Sequence, residues 1–174
     1  MKKILWLFPI IINLSLASLA FGKTNILLHE HPIAIPEIHF LDQEKKPHLF
    51  EEFEGNLLLV NFWATWCSPC IAEFKSLDQL QKDYRKQKFK IIALSEDFKS
   101  VDTIKEFYKN EQIKYLDIYI DEKNKIFSAT NIVGLPTSLL LNAEGKEIIR
   151  FSGMVDWHDP EFRKIIDKEL AKAL

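Results

Sequence analysis

Between residues 57 and 63 the chain reads LLLVNFW, apolar everywhere except Asn61, which is the pattern of a strand buried on both faces of a sheet. From Pro69 onward the period changes. Ile71, Phe74, Leu77, Leu80 and Tyr84 recur three or four apart with polar residues between them, which predicts a helix. FKIIALSED then predicts a second buried strand, and SVDTIKEFYKNEQ a helix with Ser100 at its N-cap and Val101, Ile104, Phe107 and Tyr108 on one face. KYLDIYID gives a third strand and KNKIFSAT a short helix. TSLLLN and EIIRFSG flank AEGK as a hairpin, and DPEFRKIIDKELAKAL closes the chain as a helix. Its Asp159 can cap, Pro160 suits the first position, and Phe162, Ile165, Ile166, Leu170 and Ala173 make the apolar stripe. Upstream, EIHFLDQEKKPHLFEEFEGN holds two short alternating pieces around a charged turn, a hairpin extension that ends in a turn at Gly55 and Asn56. Buried strands alternating with helices imply an α/β fold, a three-layer sandwich whose sheet is parallel in its first half and antiparallel at the final hairpin.

A length of 174 residues supports one such domain, assigned to residues 37–174. Ahead of it, MKK precedes the uncharged run ILWLFPIIINLSLASLAF and then the polar GKTN. Residues 1–22 therefore read as a signal peptide, with small residues at Ser18, Ala20 and Gly22 for cleavage, or as a retained membrane anchor. Residues 23–36, with Pro32 and Pro36, read as a linker, and order is expected to start near Glu37. Net charge is −2 and no basic stripe exists, which disfavours a nucleic-acid partner.

The only two cysteines, Cys67 and Cys70, stand at the junction between the buried strand and the helix. A C-x-x-C pair can be half a zinc site, a haem-attachment motif, a structural cross-link or a redox couple. Zinc needs two more ligands, and the five histidines are scattered. Haem attachment needs His after the second cysteine, where Ile71 stands. The two cysteines are too close in sequence to staple a fold. A redox couple fits best: free N–H groups at a helix N-terminus favour the thiolate of Cys67, the expected attacking sulfur, while Cys70 lies one turn further in, shielded until it resolves a mixed disulfide. Ser68 and Pro69 tighten the first turn without adding charge.

NFWATWCSPC, followed later by GLPTS, resembles the thioredoxin superfamily, and within it the exported TlpA/ResA/CcmG-like thiol-disulfide oxidoreductases, over residues 37–174. Glu73, three residues after Cys70, and LLLNAEGKEIIRFSGMVDWHDPE after the proline support that branch. The resemblance implies a thioredoxin-like α/β/α sandwich with a mixed sheet, the N-terminal hairpin as an extension and residues 100–120 as a central helix-strand insertion. It further implies a cis Leu135–Pro136 bond facing the cysteines, with the Leu135 backbone free to pair with an extended substrate. Cytoplasmic thioredoxins carry a buried Asp where this chain has Asn61, which cannot accept the Cys70 proton. In this branch Glu73 is the implied substitute, since a helix places it on the Cys70 side, and a carboxylate beside two thiols can relay a proton. The alternative for Glu73 is a solvated acid stabilised by the helix dipole. Trp63 is expected in the core; Trp66, Ser68, Pro69, Leu135 and Pro136 are expected at the docking surface. Trp157 and His158 read as packing or surface residues.

The implied function is a periplasmic protein-disulfide reductase with no cofactor beyond the Cys67–Cys70 couple and no metal. Its implied substrates are apocytochrome c or a copper-delivery protein for cytochrome oxidase, its electron donor a membrane thiol transporter, and its state a monomer. An oxidase on the same scaffold is one alternative, because about 30 mV is worth about 1.4 kcal/mol for a two-electron couple, so modest changes near Cys67 can reverse the role. A Sco-like copper protein using His158 is another, although that group separates its cysteines by three residues. A peroxidase is disfavoured because Ala64, not Thr, lies three residues before Cys67.

Overall fold

The computed structural model describes residues 24–98 and 100–172, so the expected signal or anchor at residues 1–22 and Ala173 of the last stripe lie outside the described residues. Eight strands form one mixed sheet: β1 (Asn25–Ala34), β2 (Phe40–Asp42), β3 (Pro47–His48), β4 (Leu57–Trp63), β5 (Phe89–Ser95), β6 (Tyr119–Ile120), β7 (Thr137–Leu141) and β8 (Lys146–Ser152), in the order β1-β8-β7-β4-β5-β6-β2-β3. β4, β5 and β6 run parallel, and every other pairing is antiparallel. The helices are α1 (Ser68–Tyr84), α2 (Val101–Glu111), α3 (Lys125–Ala129) and α4 (Pro160–Lys172). Among the described residues no helix is long and apolar enough to cross a membrane.

The predicted element order holds, and the reason is visible in β4. Successive strand side chains alternate faces. Leu57, Leu59 and Trp63 enter one core with Phe74, Leu77 and Leu80 of α1, Ile104 and Tyr108 of α2, and Ile166 and Leu170 of α4. Leu58, Val60 and Phe62 enter the other, with Phe40, Phe50 and Ile126 of α3. The chain forms the expected α/β/α sandwich with unequal outer layers: three helices on one face, and α3 with a 3-10 turn at Phe50–Phe53 on the other. Asn61 takes the alternation of Leu59 and Trp63, so its polar head is carried toward α1.

Two expectations need correction. Residues 25–34 are not linker but the edge strand β1, paired antiparallel with β8. Order thus begins well before Glu37. The strand was hidden because nearly all its side chains are exposed, leaving no alternation to read, and because Pro32 suggests a break. An edge strand can hold a proline, and here the register shifts between Leu28 and Ile33 around it. The second correction is that the strand expected from KYLDIYID is only two residues long, at Tyr119–Ile120. The hairpin of β2 and β3 forms as expected and extends the sheet beyond β6.

Candidate active site

The carboxyl ends of the parallel strands β4 and β5 meet at one edge of the molecule, the position where open α/β sheets place their chemistry. Cys67 stands there as the N-cap of α1, in extended conformation, its Sγ accepting the amide of Cys70 at 3.3 Å. The two sulfurs are joined in a disulfide with the Cα atoms 5.3 Å apart. Their exposure differs in the expected direction, 6% for Cys67 against 0% for Cys70. Ser68 and Pro69 are exposed on the first turn, and Trp66 stands out with 59% of its surface free while Trp63 is wholly buried. Trp66, Ser68 and Pro69 thus form the exposed surface around the edge of Cys67.

Glu73 is not solvated. It is 3% exposed, its Oε1 accepts from Asn61 Nδ2 at 2.7 Å, and its Oε2 accepts from the Val155 amide at 2.7 Å. Asn61 Nδ2 also donates to Ser138 Oγ at 2.9 Å across the β4–β7 pairing. Burial raises the Glu73 carboxyl to about 8, and the Val155 and Asn61 hydrogen bonds oppose that rise. A group of that affinity near neutral pH can take or give a proton during thiol chemistry.

The Leu135–Pro136 bond is cis. Leu135 lines a groove of about 580 Å³ together with Trp66, Cys67, Ser68, Pro69, Phe127 and Val133. Pro136 itself is buried, and its carbonyl accepts the Gly153 amide at 3.0 Å, anchoring the bend to the end of β8. Phe98, 81% exposed, and Val133, fully exposed, extend the apolar rim. Trp157 is core, while His158 is exposed, its Nδ1 3.4 Å from Asp156 Oδ1.

Sequence reasoning passed over the loop after β5. Asp97 accepts from the Thr65 amide at 2.9 Å, from Thr65 Oγ1 at 2.6 Å and from Ser95 Oγ at 2.9 Å. With the bond from the Glu96 amide to the Trp63 carbonyl at 2.8 Å, this fastens the β5 loop to the segment that delivers Cys67. It also commits the Thr65 hydroxyl to Asp97. Glu96 lines the same groove, buried, with neither carboxyl oxygen hydrogen bonded. The available signal was position: acids directly after a buried parallel strand lie at the sheet's chemical end.

Residues 33–150 match the family model described as the AhpC/TSA family. Among curated proteins, the chain is 32% identical over 160 residues to the thiol-disulfide oxidoreductase ResA of Bacillus thuringiensis subsp. konkukian, covering 88% of this chain and 91% of that one. It is 28% identical over 132 residues to ResA of Geobacillus kaustophilus, covering 72% and 75%. Among solved structures, a thiol:disulfide interchange protein of the thioredoxin family from Chlorobium tepidum superposes with a TM-score of 0.66 at 25% identity, over 82% of this chain and 99% of that one. A secreted thiol-disulfide isomerase from Corynebacterium glutamicum shares the fold, with a TM-score of 0.69 at 16% identity over 85% and 91%.

Proposed function

The chain belongs to the AhpC/TSA family as a thioredoxin-fold, ResA-like thiol-disulfide oxidoreductase, and we propose that it works in the reducing direction on selected protein disulfides. The observation that carries this reading is the buried Glu73 carboxyl set one helical turn beyond the shielded Cys70. In reduction, the Cys67 thiolate attacks a substrate disulfide and forms a mixed disulfide while one substrate sulfur leaves. Cys70 must then lose its proton to attack Cys67 and release the second substrate sulfur. Glu73 is the acceptor for that proton, which Asn61 cannot be. Asn61 instead orients Glu73 and favours its ionised form.

Trp66, Ser68, Pro69 and Leu135 form the docking face, with the Leu135 backbone pairing an extended substrate segment and Pro136 holding the bend. The redox couple needs no other cofactor. The substrates we assign are the haem-binding cysteines of apocytochrome c or the cysteines of a copper-delivery protein. A membrane thiol transporter returns the electrons, and the site of action is the periplasm. Two measurements test the reading. Equilibration with glutathione should give a reducing potential, and a value near −120 mV would sink it. Cys70→Ala should trap the natural partner as a mixed disulfide identifiable by mass spectrometry; equal trapping by Cys67→Ala would reverse the roles of the two sulfurs.

A further inference from the structure

We propose that Glu96 is a second catalytic acid: lining the groove beside Cys67, its carboxyl hands a proton to the substrate sulfur that departs when Cys67 attacks. Three observations on this loop converge. Glu96 is 1% exposed, yet both of its oxygens lack any hydrogen-bond partner, an arrangement that fold stability alone disfavours. It shares the groove with Cys67 and Leu135, where a disulfide in line with Cys67 must lie. Its place is fixed rather than incidental, because its amide is bonded to Trp63 and the neighbouring Asp97 is bonded to Thr65, two residues before Cys67.

The charged groups acting on Glu96 are Asp97 from its own loop and Asp121 from the end of β6, and the sulfur of Cys67 shares its groove. Both acids are already engaged, Asp97 with Thr65 and Ser95, and Asp121 with the amides of Ile126 and Phe127. Burial first, then repulsion from Asp121 and Asp97, raises the Glu96 carboxyl to about 9, so it holds its proton at neutral pH. That value lies close to an ordinary alkyl thiol at about 8.5, the match that makes proton transfer to a departing thiolate efficient.

The step balances without another reagent. The Cys67 thiolate forms a bond to one substrate sulfur as the substrate S–S bond breaks. The bond's electron pair leaves on the second sulfur, and the Glu96 proton converts it to a thiol, leaving a Glu96 carboxylate that is reprotonated from solvent after release. Glu73 serves the later Cys70 step, so the two buried carboxyls divide the two proton transfers between them.

This inference rests on the redox reading above and is tested separately from its direction. In a reduced Cys70→Ala background, single-turnover attack by Cys67 is timed on glutathione disulfide, whose departing alkyl thiolate needs a proton, and on an aryl disulfide, whose departing thiolate is stabilised by its ring. Glu96→Ala and Glu96→Gln should each slow the first by about tenfold or more and leave the second within about twofold. In the Cys70→Ala protein with Glu96 intact, the alkyl-to-aryl rate ratio should fall as pH passes about 9, and in Glu96→Gln it should be flat. The ratio cancels the ionisation of Cys67. Equal slowing of both disulfides would show a structural role and overturns the proposal, as does no slowing at all. Failure of the Cys70→Ala protein to attack either disulfide would overturn both this step and the redox reading beneath it.

Discussion

Asn61 Nδ2 on β4 and Glu73 Oε1 on α1 meet at 2.7 Å in a fully enclosed contact. The strand that carries the one polar residue in an apolar run and the helix that begins at the cysteines are thereby tied through a buried carboxyl. The same contact explains why an amide suits this strand position. A second carboxyl at that separation would compete with Glu73 for one proton, whereas an amide donates a hydrogen bond and stays neutral.

Glu73→Gln should leave the attack of Cys67 on a disulfide nearly unchanged and slow resolution by Cys70 about a hundredfold or more, the usual scale of a lost acid-base group. The glutamine must also turn an amide N–H toward Asn61 or the Val155 amide, so some stability is lost as well. Rapid quenching that separates formation from decay of the mixed disulfide distinguishes the two effects, since stability loss alone does not favour one step.

The oxidised protein should be more stable at pH 5.5 than at pH 9.5. Glu73 and Glu96 hold protons in the fold up to about 8 and about 9, while the unfolded chain releases them near 4.5. Between those limits the native state binds more protons, so stability falls as pH rises. His48, raised by its hydrogen bonds to Glu52 and Asp42, adds in the same direction. A Tm lower by well over about 5 °C at pH 9.5 is expected, and most of the slope should vanish in the Glu73→Gln, Glu96→Gln double variant.

Asp97→Ala removes the acceptor that serves the Thr65 amide, the Thr65 hydroxyl and Ser95. A loss of about 2–3 kcal/mol by urea unfolding is expected, in line with hydrogen bonds to a charged group. Hydrogen exchange at the Thr65 amide should accelerate more than at the centre of β4, because the change loosens the approach to Cys67 before it loosens the sheet.

Trp66→Ala deletes an exposed ring, so unfolding should shift by no more than about 0.5 kcal/mol. Against a protein disulfide, KM should rise several-fold with kcat nearly constant, the pattern of lost docking. Against glutathione disulfide, too small to reach across the rim, little change is expected.

The elements with a strong hydrophobic pattern were legible in the sequence. β4 announces itself by its unbroken apolar run, broken only at Asn61, α1 and α4 by their period, and Cys67, Cys70 and Glu73 by their spacing across the start of one helix. β1 was hidden because its partner β8 supplies its order through backbone bonds while its side chains face outward, so burial wrote no pattern into it. Glu96 and Asp97 were hidden for a different reason. In SED nothing local separates two buried acids from two solvated ones, and only the convergence of β4 and β5 decides which they are. The depth of Glu73 falls between these cases, because spacing gave its side of the helix but the segment around Val155 had to close over it.

The alternation of β4 gives Asn61 one more consequence. A slip of one residue against β5 and β7 would carry its amide to the α3 face, where the core around Val60 and Phe62 is apolar, and turn an aliphatic side chain toward Glu73. The buried Asn61–Glu73 pair thus also acts as a registration mark, excluding misaligned sheets beside the Cys67–Cys70 disulfide.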